Sequence, residues 1–146
     1  MVRVVLDTNV VVSGIIKPDG APGRVLELLI SGVFELAQSP ALVDDLRETL
    51  RKPRLRKFLR MSPAEADARI HQLAVLADTV DAGPVGEALQ RDPDDAIVLG
   101  VAVEAHADCI VTGDEDVLVF GAFEGIPIVT PRQFLDLLNT AQLTPG

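Results

Sequence analysis

VRVVLDTNVVVSG, residues 2–14, passes from an aliphatic run, Val2–Leu6, through an aspartate into a second apolar segment. A short, unbroken apolar run suits a strand buried on both faces, as in a parallel sheet. Asp7, Thr8 and Asn9 are all good N-cap residues. Val10–Ile16 is therefore predicted as a short helix, ended by Lys17–Pro18–Asp19–Gly20.

The same alternation continues outward. Pro22–Ser31 reads as a helix closed by Gly32, and Val33–Gln38 as a second strand. Ser39–Pro40 opens a helix in the N-cap and N1 roles, running to about Leu50. Ser62–Pro63–Ala64–Glu65 repeats that opening, and its helix continues through Ala77. Thr79–Asp81 is a candidate short strand. Asp92–Pro93 starts a helix to about Ala107, despite the β-branched residues between Ile97 and Val103. Cys109–Thr112 and Ile126–Val129 read as strands, and Pro131 opens a last helix with Phe134, Leu135 and Leu138 on one face. Strands alternating with helices imply an α/β fold, a parallel sheet covered on both sides. Residues 1–140 are expected to form one domain, with 141–146 as a tail.

Composition narrows the class. The chain has 146 residues, enough for one buried core, and without Trp or Tyr that core must be aliphatic. No apolar run approaches the roughly 20 residues of a membrane span, and the start carries no secretory leader pattern. One cysteine, Cys109, excludes an internal disulfide framework and a Cys-rich zinc site. The chain reads as soluble and cytoplasmic. A net charge of −9 argues at first against a nucleic-acid partner. Yet Arg47, Arg51, Lys52, Arg54, Arg56, Lys57 and Arg60 face a single acid, Glu48, over residues 47–60. Such a strip suits a phosphate backbone, or else a solvated helix end or an acidic protein partner.

In open α/β sheets, sites form beyond the carboxyl ends of the strands. Asp7 follows the first strand directly, and Asp114 follows Cys109–Thr112 after one glycine. Asp95 lies in the first turn of the helix opened by Asp92–Pro93, whose N-terminus faces the same edge. Each has a purely structural reading, as a cap, a dipole partner or a turn residue; their shared placement favours a site. On the helix from Pro40, the apolar stripe is Leu42, Val43, Leu46 and Leu50. Asp45 lies roughly 115° from its centre, Asp44 roughly 145° and Glu48 roughly 175°. Asp45 is the candidate site acid, with Glu48 as the alternative. Clustered carboxylates repel and raise one another's pKa, so they call for a cation. All-oxygen ligands suit Mg²⁺ or Mn²⁺, the ions of phosphoryl-transfer chemistry. His71 and His106 lack ligand spacing and read as structural, as does Cys109.

Three segments together carry a resemblance: VLDTNVVVSG (residues 5–14), SPALVDDLRETLRKPRL (39–55) and RDPDDAIVLGVAVEAHADCIVTGDEDVL (91–118). They resemble PIN domains, in particular the branch similar to the VapC toxins of toxin–antitoxin systems, over Val2 to about Leu138. The resemblance implies a three-layer α/β/α sandwich with a central parallel sheet, and Mg²⁺- or Mn²⁺-dependent cleavage of single-stranded RNA. Carried over by position, the family's four acids fall on Asp7, Asp45, Asp95 and Asp114. Asp116 is an extra candidate ligand, and Asn9 and Thr112 are polar supports. The second acid is commonly Glu; here it is Asp, one methylene shorter. Either the helix sits closer, a water bridges the gap, or Glu48 takes the role.

On this reading Asp7, Asp95 and Asp114 hold the metal with Asp45 completing the cluster, and Arg51, Lys52, Arg54 and Lys57 hold the RNA backbone. The resemblance also implies a cognate antitoxin and a homodimer. Two rivals stand beside it. A phosphoacceptor receiver domain also clusters acids around Mg²⁺, but wants a basic side chain, usually Lys, near the end of its final strand, where this chain has Thr130–Pro131–Arg132 and its only lysines are Lys17, Lys52 and Lys57. A catalytically silent PIN-like module would bind RNA or protein without cutting.

Overall fold

The computed structural model describes residues 1–82 and 93–140. Asp92 and the 141–146 tail lie outside these described residues. The first strand, β1 (Arg3–Leu6), is followed by helices α1 (Thr8–Ile16) and α2 (Ala21–Ile30). Gly32, at φ +80°, turns the chain out of α2 in the left-handed region. Strand β2 (Glu35–Gln38) leads into α3 (Pro40–Leu50), whose N-cap Ser39 accepts a hydrogen bond from the Leu42 N–H. A one-turn helix α4 (Pro53–Arg56) and the longer α5 (Pro63–Leu76) follow, with Ser62 capping α5 through the Glu65 N–H. The remaining elements are β3 (Asp78–Thr79), α6 (Pro93–Glu104), β4 (Cys109–Val111), α7 (Glu115–Leu118), β5 (Ala122–Phe123), β6 (Ile126–Val129) and α8 (Pro131–Asn139). Residues 97–103 are helical: in α6 the β-branched Val98 and Val101 serve burial, in the core beside Leu99.

The strands form one sheet in the order β3-β2-β1-β4-β6-β5. All pairings are parallel except β5 with β6, which forms an antiparallel edge hairpin. Val4, Leu6, Leu36, Cys109 and Val111 face one side, against α1, α2, α5 and α8. Val5, Ala37, Ile110 and Ile128 face the other, against α6 and Val117 of α7. The result is a three-layer α/β/α sandwich with an almost wholly aliphatic core. Among the described residues Phe34 and Phe134 form an aromatic pair, edge to face at 5.1 Å between centroids.

The strand order itself creates a crevice. The chain runs from β1 outward to β2 and β3, then crosses back to β4 on the other flank of β1. The order therefore reverses between β1 and β4, a switch point whose crevice opens at the carboxyl ends of both strands. Helix α3 closes that edge by straddling the layers, with Leu42 in one apolar cluster and Leu46 and Leu50 in the other.

Candidate active site

Asp7 stands at the N-cap position of α1 but does not cap it; no side-chain cap bond forms there. Its Oδ2 instead accepts a hydrogen bond from the Thr112 hydroxyl at 2.7 Å. Its backbone N–H donates to the Val111 carbonyl at 2.9 Å, tying the ends of β1 and β4 together. The residue is 7% exposed. Burial pushes its pKa up to about 6, against the lowering effect of the Thr112 hydroxyl and the Thr8 N–H, and the charges of Asp114 and Asp45 add to the rise.

Asp114 arrives from the neighbouring strand. Its N–H donates to the Thr112 Oγ at 3.0 Å, so one threonine hydroxyl serves both acids. Its own Oδ1 accepts the Asp116 N–H at 2.9 Å, capping α7. Asp114, readable from the sequence as a turn residue, is thus the N-cap of a one-turn helix. Asn9 Oδ1 accepts the Gly113 N–H at 3.3 Å, bracing the β4–α7 loop against α1. Asp45 lies half-buried on the flank of α3 and accepts the Thr8 hydroxyl at 2.6 Å, while Glu48, one turn on, is exposed. Asp95, in the first turn of α6, is 6% exposed.

Asp7, Asp45, Asp95 and Asp114 line a single cleft of about 340 Å³, together with Thr8, Asn9, Val12, Ser13, Thr49, Leu55 and Arg54. A larger hollow of about 430 Å³ between β6 and α8 is lined by one acid, Asp136, and offers no comparable chemistry. Four acids from four separate parts of the chain therefore meet at the switch-point edge. Glu48 and Asp116 are not among the lining residues. Asp116 is exposed, and its N–H donates to Asp114 Oδ1.

The four acids share the cleft without closing on a point. Among the described residues, no three His, Cys, Asp or Glu side chains are grouped tightly enough to hold one ion as they stand. Each of three carboxylates is instead held by its own donor, Thr112 for Asp7, Thr8 for Asp45 and the Asp116 N–H for Asp114. Mutual repulsion also keeps like charges apart. The donor chemistry fits a hard divalent ion nonetheless: every candidate ligand is a carboxylate oxygen.

The basic strip divides. Arg54, brought round by α4, lines the cleft; Arg51, Lys52, Arg56 and Lys57 are exposed outside it. None of the seven basic residues at 47–60 forms an ion pair with another described residue. The Lys57 ammonium lies 5.2 Å from the centroid of the Phe58 ring. His71 is exposed on α5, and His106, at φ 52°, is the exposed residue that turns the chain out of α6. Cys109 is buried in β4. Thr8, Ser13 and Thr49 line the cleft but are not among the site residues expected from the sequence. For Thr8 a signal exists all the same: a hydroxyl directly after Asp7, at the start of a helix that packs on α3.

The fold and this constellation define a PIN domain. The family model described as PIN domain matches residues 3–116, and the chain belongs to that family. An uncharacterized protein of Methanocaldococcus jannaschii is 32% identical over 120 residues, spanning 80% of this chain and 74% of that protein. Among solved structures, PAE2754 of Pyrobaculum aerophilum superposes with a TM-score of 0.62 at 13% identity, covering 96% of this chain and 90% of that one. VapBC2 of Rickettsia felis, solved bound to a DNA fragment from its promoter, gives 0.60 at 16% identity, covering 88% and 98%. PIN domains are generally nucleases that use divalent metals. Family membership sets aside the receiver-domain alternative. Among the described residues no helix is long and apolar enough to cross a membrane.

Proposed function

We propose that this chain is a Mg²⁺- or Mn²⁺-dependent endoribonuclease acting on single-stranded RNA, the toxin of a toxin–antitoxin pair. The observation that carries the reading is the meeting of Asp7, Asp45, Asp95 and Asp114 in one cleft at the switch-point edge, with Arg54 beside them. Asp7, Asp95 and Asp114 would hold the ion. When bound, a hard divalent ion supplies charge neutralisation at the phosphate and an acidified water. The chain's own groups do the rest. Asp45 accepts the proton of the attacking water, Thr112 fixes Asp7 and the Asp114 backbone relative to each other, and Arg54 orients the scissile phosphate. Arg51, Lys52 and Lys57 extend a positive track along the incoming strand. Without Trp or Tyr to stack bases, binding rests on phosphate contacts.

The antitoxin rests on the resemblance to VapC toxins and on the fold shared with VapBC2. An arginine offered by that partner would fit the carboxylates of the cleft. A homodimer is the expected assembly. The test is cleavage of unstructured RNA with Mn²⁺, with EDTA and by the Asp95→Ala variant. Metal-dependent cleavage lost in the variant supports the reading; ion binding with no cleavage across many RNAs favours the silent module.

A further inference from the structure

Asp45 has a short side chain on the flank of α3, and one hydroxyl decides where it rests. Thr8 is the first residue of α1, directly after Asp7, and is 8% exposed. Its Oγ donates to Asp45 Oδ2 at 2.6 Å, within the range of a charge-assisted hydroxyl–carboxylate bond. Among the described residues no other donor to Asp45 is found, so Oδ1 keeps its full accepting capacity in the cleft that Asp45 lines. The peptide that carries Thr8 also carries Asp7. The hydroxyl bond, between residues 37 positions apart, therefore fixes the α3 acid relative to the β1 acid.

We infer that Thr8 is a positioning residue: its hydroxyl occupies Oδ2 of Asp45 and thereby assigns Oδ1 as the oxygen that takes the proton of the attacking water. The inference rests on the nuclease reading above and adds to it a residue and a division of labour between two oxygens. The Thr8 hydroxyl acts through Asp45, while the Thr8 backbone N–H, which serves Asp7, is kept by any residue other than proline at that position. Loss of the hydroxyl should lower turnover and leave ion binding, RNA binding and the fold in place. A threonine serving only the packing of α1 on α3 would instead lower stability and leave turnover intact.

The experiment compares wild type with Thr8→Ala, Thr8→Ser, Asp45→Asn and the Thr8→Ala/Asp45→Asn double variant. Four quantities are read on each protein: kcat and KM on a single-stranded RNA, Mn²⁺ affinity by calorimetry, and Tm. Thr8→Ala should lower kcat about tenfold, in the range for losing a residue that orients a ligand or base. KM and Mn²⁺ affinity should stay within about twofold. Thr8→Ser, which keeps the donor, should restore kcat. Once Asp45→Asn is present, Thr8→Ala should cost nothing further, because the two act as a unit. Wild-type kcat in Thr8→Ala, or losses that multiply in the double variant, would overturn the inference while leaving the nuclease reading standing. A wild type that binds Mn²⁺ but cuts no RNA, or binds none, would overturn both.

Discussion

The Thr112 hydroxyl stands between Asp7 and the backbone of Asp114, donating to the first at 2.7 Å and accepting from the second at 3.0 Å. Fully buried at the end of β4, it welds together the two strand ends that flank the switch point. Replacing it by valine keeps the shape and removes both bonds. Thr112→Val should destabilise the fold by about 1–3 kcal/mol, the cost of leaving buried polar groups unpaired, and should raise the pKa of Asp7 further. Urea denaturation measures the first effect; an unchanged midpoint would contradict this role.

Asp7 makes stability depend on pH. Its pKa rises from 3.8 to about 6 on folding, so the folded protein holds this proton more tightly than the unfolded chain. That contribution is fully present below pH 3.8 and is lost as pH rises through about 6. The span corresponds to something on the order of 3 kcal/mol. In EDTA, Asp7→Asn should therefore gain stability relative to wild type between pH 5 and pH 7.5. A difference that stays constant across that range would contradict it.

Arg54 lines the acid cleft, whereas Lys52 and Lys57 lie outside it. Arg54→Ala should weaken RNA binding and reduce the slope of log K against log salt by about 0.7, one phosphate contact on a single strand. The same slope in both proteins would remove Arg54 from the RNA path.

Cys109 lies in β4 beneath the helices. Burial pushes its thiol pKa up to about 12, and the charge of Asp108 adds to the rise. It should resist thiol reagents in the native protein and react at once in denaturant. Prompt native-state labelling would contradict the burial.

Legibility in the sequence depends on how strong each local signal is. The run Val2–Leu6 and the starts at Ser39–Pro40, Ser62–Pro63 and Pro131 define β1 and three helices, because aliphatic continuity and helix-start chemistry are local. β5, α4 and α7 span four residues or fewer, too short for any period to register, and α4 is what carries Arg54 to the cleft. On α3 the apolar stripe sets the direction of each acid, and that alone separates Asp45 from Glu48. Convergence of the acids is implied by strand ends and helix starts. How each is held is not, because the Thr8–Asp45 and Thr112–Asp7 bonds link positions 37 and 105 apart. Asp116 resembles a ligand by its closeness to Asp114 in sequence; it is exposed and is not among the residues lining the cleft.

Aspartates distant in sequence are proposed to form one cation-binding, RNA-cutting site. Mn²⁺ titrated into wild type and Asp95→Asn at pH 7.5, followed by calorimetry and by cleavage of a single-stranded RNA, tests this most directly. The expected result is saturable binding and metal-dependent cleavage in wild type, both lost in a variant that remains folded. Binding and cleavage that survive in Asp95→Asn would contradict it.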